Sequence, residues 1–313
     1  MKKAFLFAGQ GSQYVGMGKE LVDTYQTALS VYKSANDLVD FDLMSMILEG
    51  PEEKLMQTKY TQPAILTMSI AIFEVLKENG IMPDVVAGLS LGEYGAIYAA
   101  GGMDLETVIP LVYKRGLLME SELPEIESAM YAIIGTTREM VLNICGKAAE
   151  KGVVEASNFN CPGQIVIGGE KNAVEYAITL FKEEKIRAIP LKVSGPFHTS
   201  LLEKAGEKLA TVLENVEIKE LLLPVLTNVT GNYLENDAEV IKSGLAKQVS
   251  SSVYFEDEIK KMLADGVDTF IEIGPKNILS GFIKKIDKSV TVLNTNTLSD
   301  VEKVIEFFKG GVQ

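Results

Sequence analysis

The stretch VAGLSLGEYGA, residues 86–96, sets Ser90 between two glycines in the frame Gly88-Leu89-Ser90-Leu91-Gly92. The residues before it, DVVAGLS (84–90), read as a buried strand, and LGEYGAIYAAG after it reads as a helix closed by Gly101. A serine on a sharp strand-to-helix turn is the arrangement of a nucleophile elbow. Glycine on both flanks admits the turn without side-chain clashes. The helix N-terminus offers free N–H groups and a favourable dipole to a developing oxyanion. Glycine and serine are also common in ordinary turns. These residues alone therefore leave two readings, a nucleophile or a small residue in a structural turn.

A serine nucleophile needs a base. The chain has one histidine, His198, in VSGPFHTSLL. A single histidine is more often packed or at the surface than catalytic, but a Gly-Pro turn presents this one at an expected domain junction. If Ser90 has a histidine base, that base is His198, so the two assignments stand or fall together. A third stretch, FAGQGSQ (7–13), runs a strand into a loop with exposed backbone N–H groups; alone it reads as a strand-ending turn.

The elements that must position these residues alternate short apolar runs with longer amphipathic segments, the pattern of an α/β fold with a largely parallel sheet. Strands are expected at KAFLFAG (3–9), VDTFIEIG (267–274) and VTVLNT (290–295). Helices are expected at 61–79, with Pro63 in the first turn, and at KNILSGFIKKI and DVEKVIEFFKG. From about Ser128 the order changes to strand AMYAIIGT, helix REMVLNICGKAAEKG, strands VVEASNFN and QIVIGG, helix KNAVEYAITLFKEEK and strand IRAIPLKV. This βαββαβ order is the split pattern of a ferredoxin-like unit. The expected organisation is a large α/β domain, 1–124 and 195–313, carrying an inserted ferredoxin-like subdomain at 125–194.

Composition removes several function classes. The chain has 313 residues, 47% hydrophobic and 23% charged, with a net charge of -13. Nucleic-acid binding needs a basic face, and anionic membranes are disfavoured on the same ground. No apolar stretch approaches the roughly 18 residues of a membrane span. The start, MKKAFLFAGQGSQ, reads as a first buried strand rather than a secretory leader, its apolar run being too short. Cys145 and Cys161 have no metal or disulfide spacing, so no metal site is expected and a cytoplasmic protein fits best.

Together the segments resemble the malonyl-CoA:acyl carrier protein transacylase family, acyltransferases of fatty acid synthesis and of polyketide synthases. The resemblance spans nearly the whole chain through GQGSQ (9–13), TQPA (61–64), GLSLGEY (88–94), YKRGLLM (113–119), NFNCPGQIVIGG (158–169), GPFHTS (195–200) and IEIGPKNILSGF (271–282). It implies a hydrolase-like α/β domain with a ferredoxin-like insertion, the architecture that the periodicity suggests independently. Carried over by motif, it implies Ser90 as the acylated nucleophile and His198 as its base and acid. The N–H groups of Gln10 and Leu91 would form the oxyanion hole. Arg115 would hold the malonyl carboxylate, and Gln62 would line the pocket. A main-chain carbonyl would orient the histidine, and Gln248 in AKQVSSSV is the matching position. A guanidinium can read a carboxylate through two charge-assisted hydrogen bonds. Without the resemblance, Arg115 reads as a solvated helix residue with a snorkelling stem. The family often has histidine immediately before the serine, where this chain has Leu89.

The implied reaction is ping-pong transfer of malonyl from malonyl-CoA, through malonyl-Ser90, to the phosphopantetheine thiol of acyl carrier protein. No bound cofactor is implied, and the expected enzyme is a monomer. The alternatives are a trans-acting polyketide acyltransferase, a serine thioesterase or esterase of the same fold, and a non-catalytic carrier-binding homologue. A thioesterase predicts an acidic partner for His198. Because carrier proteins are typically acidic, docking against a net charge of -13 requires a local basic surface. Lys276, Lys284 and Lys285, with Lys185, Arg187 and Lys192, are the candidates.

Overall fold

The computed structural model describes residues 1–123 and 125–310. Its strands are β1 (Lys3–Phe7), β2 (Val85–Gly88), β3 (Ser128–Ile134), β4 (Val154–Cys161), β5 (Gln164–Glu170), β6 (Arg187–Pro190), β7 (Leu226–Thr227), β8 (Asn232–Tyr233), β9 (Thr269–Ile273) and β10 (Thr291–Asn294).

Four of them form the central sheet in the order β10-β9-β1-β2, every pair parallel. Alternation along β1 explains why this sheet is buried on both faces. Phe5 and Phe7 point into the larger core, where both rings meet Phe73 at 6.4 and 6.3 Å. Ala4 and Leu6 point into a second apolar cluster, which includes the Phe255–Phe282 ring pair at 6.2 Å. A strand covered on both faces reads as a continuous apolar run, which is how KAFLF appears in the sequence. Helix Thr58–Glu78 covers the Phe5–Phe7 face, and helices Phe255–Ala264 and Ile278–Ile286 contribute to the opposite one.

Helix Thr58–Glu78 starts one turn earlier than its sequence pattern indicates, with Pro63 inside it rather than at its start. Almost the whole helix beyond Tyr60 is buried, and that packing outweighs the single backbone hydrogen bond that Pro63 forgoes.

The segment from Ser128 to Pro190 builds a separate sheet of order β4-β5-β3-β6, antiparallel throughout. Its helices, Arg138–Ala148 and Lys171–Glu183, bury Val141, Ile144, Val174 and Phe181 with Ile133, Ile165 and Ile167 of the sheet. This is the expected βαββαβ architecture. Strand β6 is shorter than the apolar run IRAIPLKV because the chain turns out of the ladder after Pro190 towards GPFH. Residue 124, the expected end of the first part of the large domain, lies outside the described residues. Strand β4 of this sheet is tied to the segment just before helix Phe255–Ala264: Phe159 N–H donates to Val253 O at 2.8 Å and Val253 N–H to Ser157 O at 2.9 Å. The Arg138 guanidinium lies 4.2 Å over the Phe159 ring and pairs with Asp257 at 2.7 Å.

Candidate active site

Strand β2 ends at Gly88 and helix Gly92–Ala99 begins four residues later, so Ser90 stands at the tip of the turn. The positive φ of this turn, 54°, belongs to Ser90 itself. For a residue with a Cβ such backbone costs on the order of 1–3 kcal/mol and persists only where the surroundings hold it. The two glycines keep the turn clear of side-chain clashes, as the sequence suggests. A Cβ on Gly88 would sit 2.0 Å from the carbonyl carbon of Gly92, and one on Gly92 would sit 2.0 Å from Phe7 O. They let the helix close directly onto the ends of β1 and β2.

His198 follows the Gly-Pro turn and also has positive φ, 62°. Its N–H donates to Val249 O at 3.2 Å, and Thr199 Oγ1 donates to Pro196 O at 2.6 Å, which pins the turn on both sides. His198 Nε2 lies 2.7 Å from Ser90 Oγ, and Nδ1 lies 2.8 Å from Gln248 O. A carbonyl can only accept, so Nδ1 carries the proton of the neutral ring and Nε2 is free to accept from the serine hydroxyl. The atom facing Nδ1 is a carbonyl oxygen and not a carboxylate. Burial, and after it the positive charge of Arg115, hold the His198 pKa down at about 4. The ring is therefore neutral near pH 7, as a general base must be.

Arg115 projects from helix Leu105–Ser121 and is 1% exposed, the largest fully buried side chain of the protein. It is not a snorkelling surface residue. Nη1 donates to Gln62 Oε1 at 2.8 Å, and Nη2 donates to Gln248 Oε1 at 2.9 Å and Ser90 Oγ at 3.2 Å. Each of these acceptors is neutral, and Nε has no partner among the described residues. A buried cation with only amide and hydroxyl acceptors has capacity for an anion. Gln62 is wholly buried, its amide held between Arg115 and Met119 Sδ, so it fixes the guanidinium from one side. Gln248 fixes it from the other. Gln248 thus touches His198 through its backbone and Arg115 through its side chain.

Gln10 lies in the loop after β1, where Ser12 Oγ donates to Gly9 O at 2.8 Å and Gly11 N–H to Gln13 Oε1 at 2.8 Å. The Gln10 side chain donates to Thr58 Oγ1 at 3.1 Å. A Cβ on Gly9 would come within 2.4 Å of Leu89 O, so this loop lies directly against the elbow. Among the described residues the backbone N–H groups of Gln10 and Leu91 have no protein acceptor. Leu89 packs on the apolar cluster around Val253 and Phe255, which explains an aliphatic residue at that position. Of the basic candidates, Lys276 reaches Gly11 O at 3.1 Å beside the Gln10 loop, and Lys285 donates to Gln164 Oε1 at 2.9 Å. All six are exposed.

Sequence reasoning missed Asn228, just after β7, and Glu93, in the first turn of the helix after the elbow. Both are buried against Ser90 and Gln248. Asn228 gave one faint signal, a polar residue inside the apolar run LPVLTNV.

The family profile described as acyl transferase domain matches residues 4–303 of the chain. The malonyl CoA-acyl carrier protein transacylase of Bacillus subtilis (strain 168) is 44% identical over 310 residues, covering 98% of this chain and 98% of that protein. The protein of the same name from Haemophilus influenzae is 43% identical over 311 residues, covering 98% and 99%. The crystal structure of malonyl CoA-acyl carrier protein transacylase from Clostridium perfringens superposes with a TM-score of 0.95 at 43% identity, covering 99% of this chain and 98% of that one. A structure described as a type II PKS acyl-carrier protein in complex with its malonyl-transacylase superposes with a TM-score of 0.95 at 38% identity, covering 98% and 100%. With fold, motif order and sequence agreeing from one end to the other, the chain belongs to the acyl transferase domain family.

Proposed function

We propose that this protein is a malonyl-CoA:acyl carrier protein transacylase supplying fatty acid synthesis, acting in the cytoplasm through a malonyl-Ser90 intermediate. The observation that carries this reading is Arg115, a buried guanidinium with neutral acceptors only, placed 3.2 Å from the serine oxygen. An acyl group on Ser90 that ends in a carboxylate a short reach from its carbonyl satisfies that cation, and malonyl is such a group. Acetyl is not.

In the first half-reaction Ser90 Oγ attacks the thioester carbonyl of malonyl-CoA as His198 Nε2 takes the hydroxyl proton. The carbonyl oxygen becomes an oxyanion, which the N–H groups of Gln10 and Leu91 stabilise where they point without other acceptors. The C–S bond breaks, and the imidazolium returns its proton to the departing coenzyme A thiol. In the second half-reaction the phosphopantetheine thiol gives its proton to Nε2 and attacks the malonyl ester. Ser90 leaves and recovers the proton. Gln248 O holds the Nδ1 proton throughout and favours the imidazolium as it forms. Malonyl-CoA and the carrier protein are substrates, and the residues of the chain account for each proton moved.

A hydrolytic thioesterase is the rival chemistry. Its expected acidic partner for His198 is replaced by the Gln248 carbonyl, 2.8 Å from Nδ1, which favours the transferase. Product analysis with malonyl-CoA and phosphopantetheinylated carrier protein tests the reading. Malonyl-carrier as the main product supports it, and free malonate as the main product, whether or not carrier is present, rejects it. For the inserted unit we propose the limits 125–194, which include β3 to β6 and both helices between them.

A further inference from the structure

Three buried polar groups beside the elbow have no place in those steps: Asn228, Glu93 and Glu258, exposed by 0%, 1% and 0%. Asn228 uses every hydrogen-bonding atom it has. Its side-chain Oδ1 accepts from Ser90 N–H at 2.6 Å and from Gln248 Nε2 at 3.2 Å. Its Nδ2 donates to Gly88 O at 2.7 Å and Glu258 Oε1 at 2.9 Å. Its own N–H donates to Glu93 Oε2 at 3.0 Å, and its carbonyl accepts from Tyr254 N–H at 2.8 Å. Only one orientation of the amide satisfies this set, because the oxygen must meet two donors and the nitrogen two acceptors.

We propose that Asn228 is the positioning residue of the nucleophile: its amide grips the elbow on both sides of Leu89, at the entry to Ser90, and, braced by Glu258 and Glu93, holds Oγ on the line to His198. The inference rests on Ser90 being the nucleophile. The grip acts on the strained residue itself, since the two peptide groups it holds flank Leu89 and set the entry to Ser90's positive φ. It also has a consequence for the oxyanion. With Ser90 N–H committed to Asn228, the nucleophile's own amide is withdrawn from oxyanion binding, and that duty falls to other backbone donors.

Glu258 braces the amide as an acceptor. Its Oε2 has no partner among the described residues, and burial together with the neighbouring Glu93 pushes its pKa well above the usual carboxylate range. Glutamine at 258 is isosteric and keeps the oxygen that accepts from Asn228 Nδ2. Aspartate at 228 is not a conservative change by the same geometry, because it places an oxygen against Gly88 O and Glu258 Oε1, where the structure has an NH2 group.

The test is the rate at which the full-length enzyme is labelled at Ser90 by a fluorophosphonate, a probe without a carboxylate that reads the serine independently of the acyl group it carries. The rate of malonyl adduct formation is measured alongside. Asn228→Ala and Asn228→Asp are expected to slow both, by roughly tenfold to a hundredfold, as small misplacements of a reacting atom do. The Kd for malonyl-CoA, compared between Ser90→Ala and Ser90→Ala/Asn228→Ala, stays the same. Glu258→Ala slows labelling and Glu258→Gln restores it, a rescue that a purely packing role does not produce. If Asn228→Ala fails to fold, the Glu258 pair decides. Wild-type labelling rates in the folded Asn228 variants, or equal rates in Glu258→Ala and Glu258→Gln, overturn the proposal. A wild-type enzyme not labelled at Ser90 overturns the nucleophile on which it rests.

Discussion

Ser90 Oγ and His198 Nε2 meet at 2.7 Å although 108 positions separate them, and both residues sit on left-handed backbone, at φ 54° and 62°. Two strained non-glycine residues facing one another across a hydrogen bond are the mark of a geometry that the rest of the fold holds in place. The Ser90 N–H bond to Asn228, the His198 N–H bond to Val249 O and the Gln248 amide bond to Ser90 O supply much of that hold. The pair is arranged for proton transfer before any substrate arrives.

Arg115→Ala removes the buried cation beside Ser90. Malonyl transfer is expected to fall far more than acetyl transfer, by a hundredfold or more in the ratio, about 3 kcal/mol, because truncation leaves a desolvated carboxylate unpaired. Steady-state kcat/KM for malonyl-CoA and acetyl-CoA measures it. Equal losses on both substrates would make Arg115 a structural residue.

The acid limb of kcat/KM for malonyl-CoA is expected at about pH 4 rather than near 6.5, because the free enzyme's base is held neutral by burial and by Arg115. Protonation of Nε2 removes the base, so activity is lost as pH falls through that value. In Arg115→Ala, assayed with acetyl-CoA, the limb moves up, since one of the two causes is gone. The same depression affects stability. The unfolded chain binds the proton first, so the contribution of His198 is complete above 6.5 and is lost as pH falls from there towards about 4. A limb near 6.5 in the wild type would show that the imidazole is solvated in the working enzyme.

Reversing Arg187, Lys192 and Lys284 to glutamate is expected to lower the on-rate for acyl carrier protein while leaving malonylation of Ser90 from coenzyme A nearly unchanged. The net charge of -13 opposes an acidic partner, so steering must come from local cations. Stopped-flow kinetics at low and high salt provide the check, since exposed charges are screened beyond about 8 Å at physiological ionic strength. Unchanged carrier kinetics at low salt would move the docking surface elsewhere.

Much of this architecture was legible because buried parallel strands write themselves as apolar runs. KAFLF, VVAG and TFIEI become β1, β2 and β9, and the βαββαβ order survives intact in β3 to β6. The short helix Lys19–Thr24 and the pair β7–β8 were not read, because six- and two-residue elements leave little trace; helices Gln26–Asp37 and Ala238–Gln248 were overlooked although Ala28, Val31, Tyr32 and Ala35, and Ile241, Leu245 and Ala246, recur at helical spacing. Motifs located the outer parts of the site, Ser90, His198 and Arg115. They did not reveal the hub formed by the Gln248 side chain, Glu93 and Asn228. Glu93 meets Asn228 and Gln248 across more than a hundred positions, and polar residues that satisfy each other in a core have no period to betray them. Glycine at 88 and 92 was read as avoiding side-chain clashes, and the backbone that a Cβ would meet there belongs to Gly92 and to β1.

The most direct test of the central claim is intact-protein mass spectrometry after mixing with malonyl-CoA, followed by addition of phosphopantetheinylated carrier protein. The wild type is expected to carry one malonyl group on Ser90 and to discharge it onto the carrier thiol. Ser90→Ala, whose small side chain lies in a turn held by its neighbours, is expected to fold and to carry none. An adduct of undiminished yield in Ser90→Ala, or a wild-type adduct that water removes as fast as the carrier does, would contradict the account.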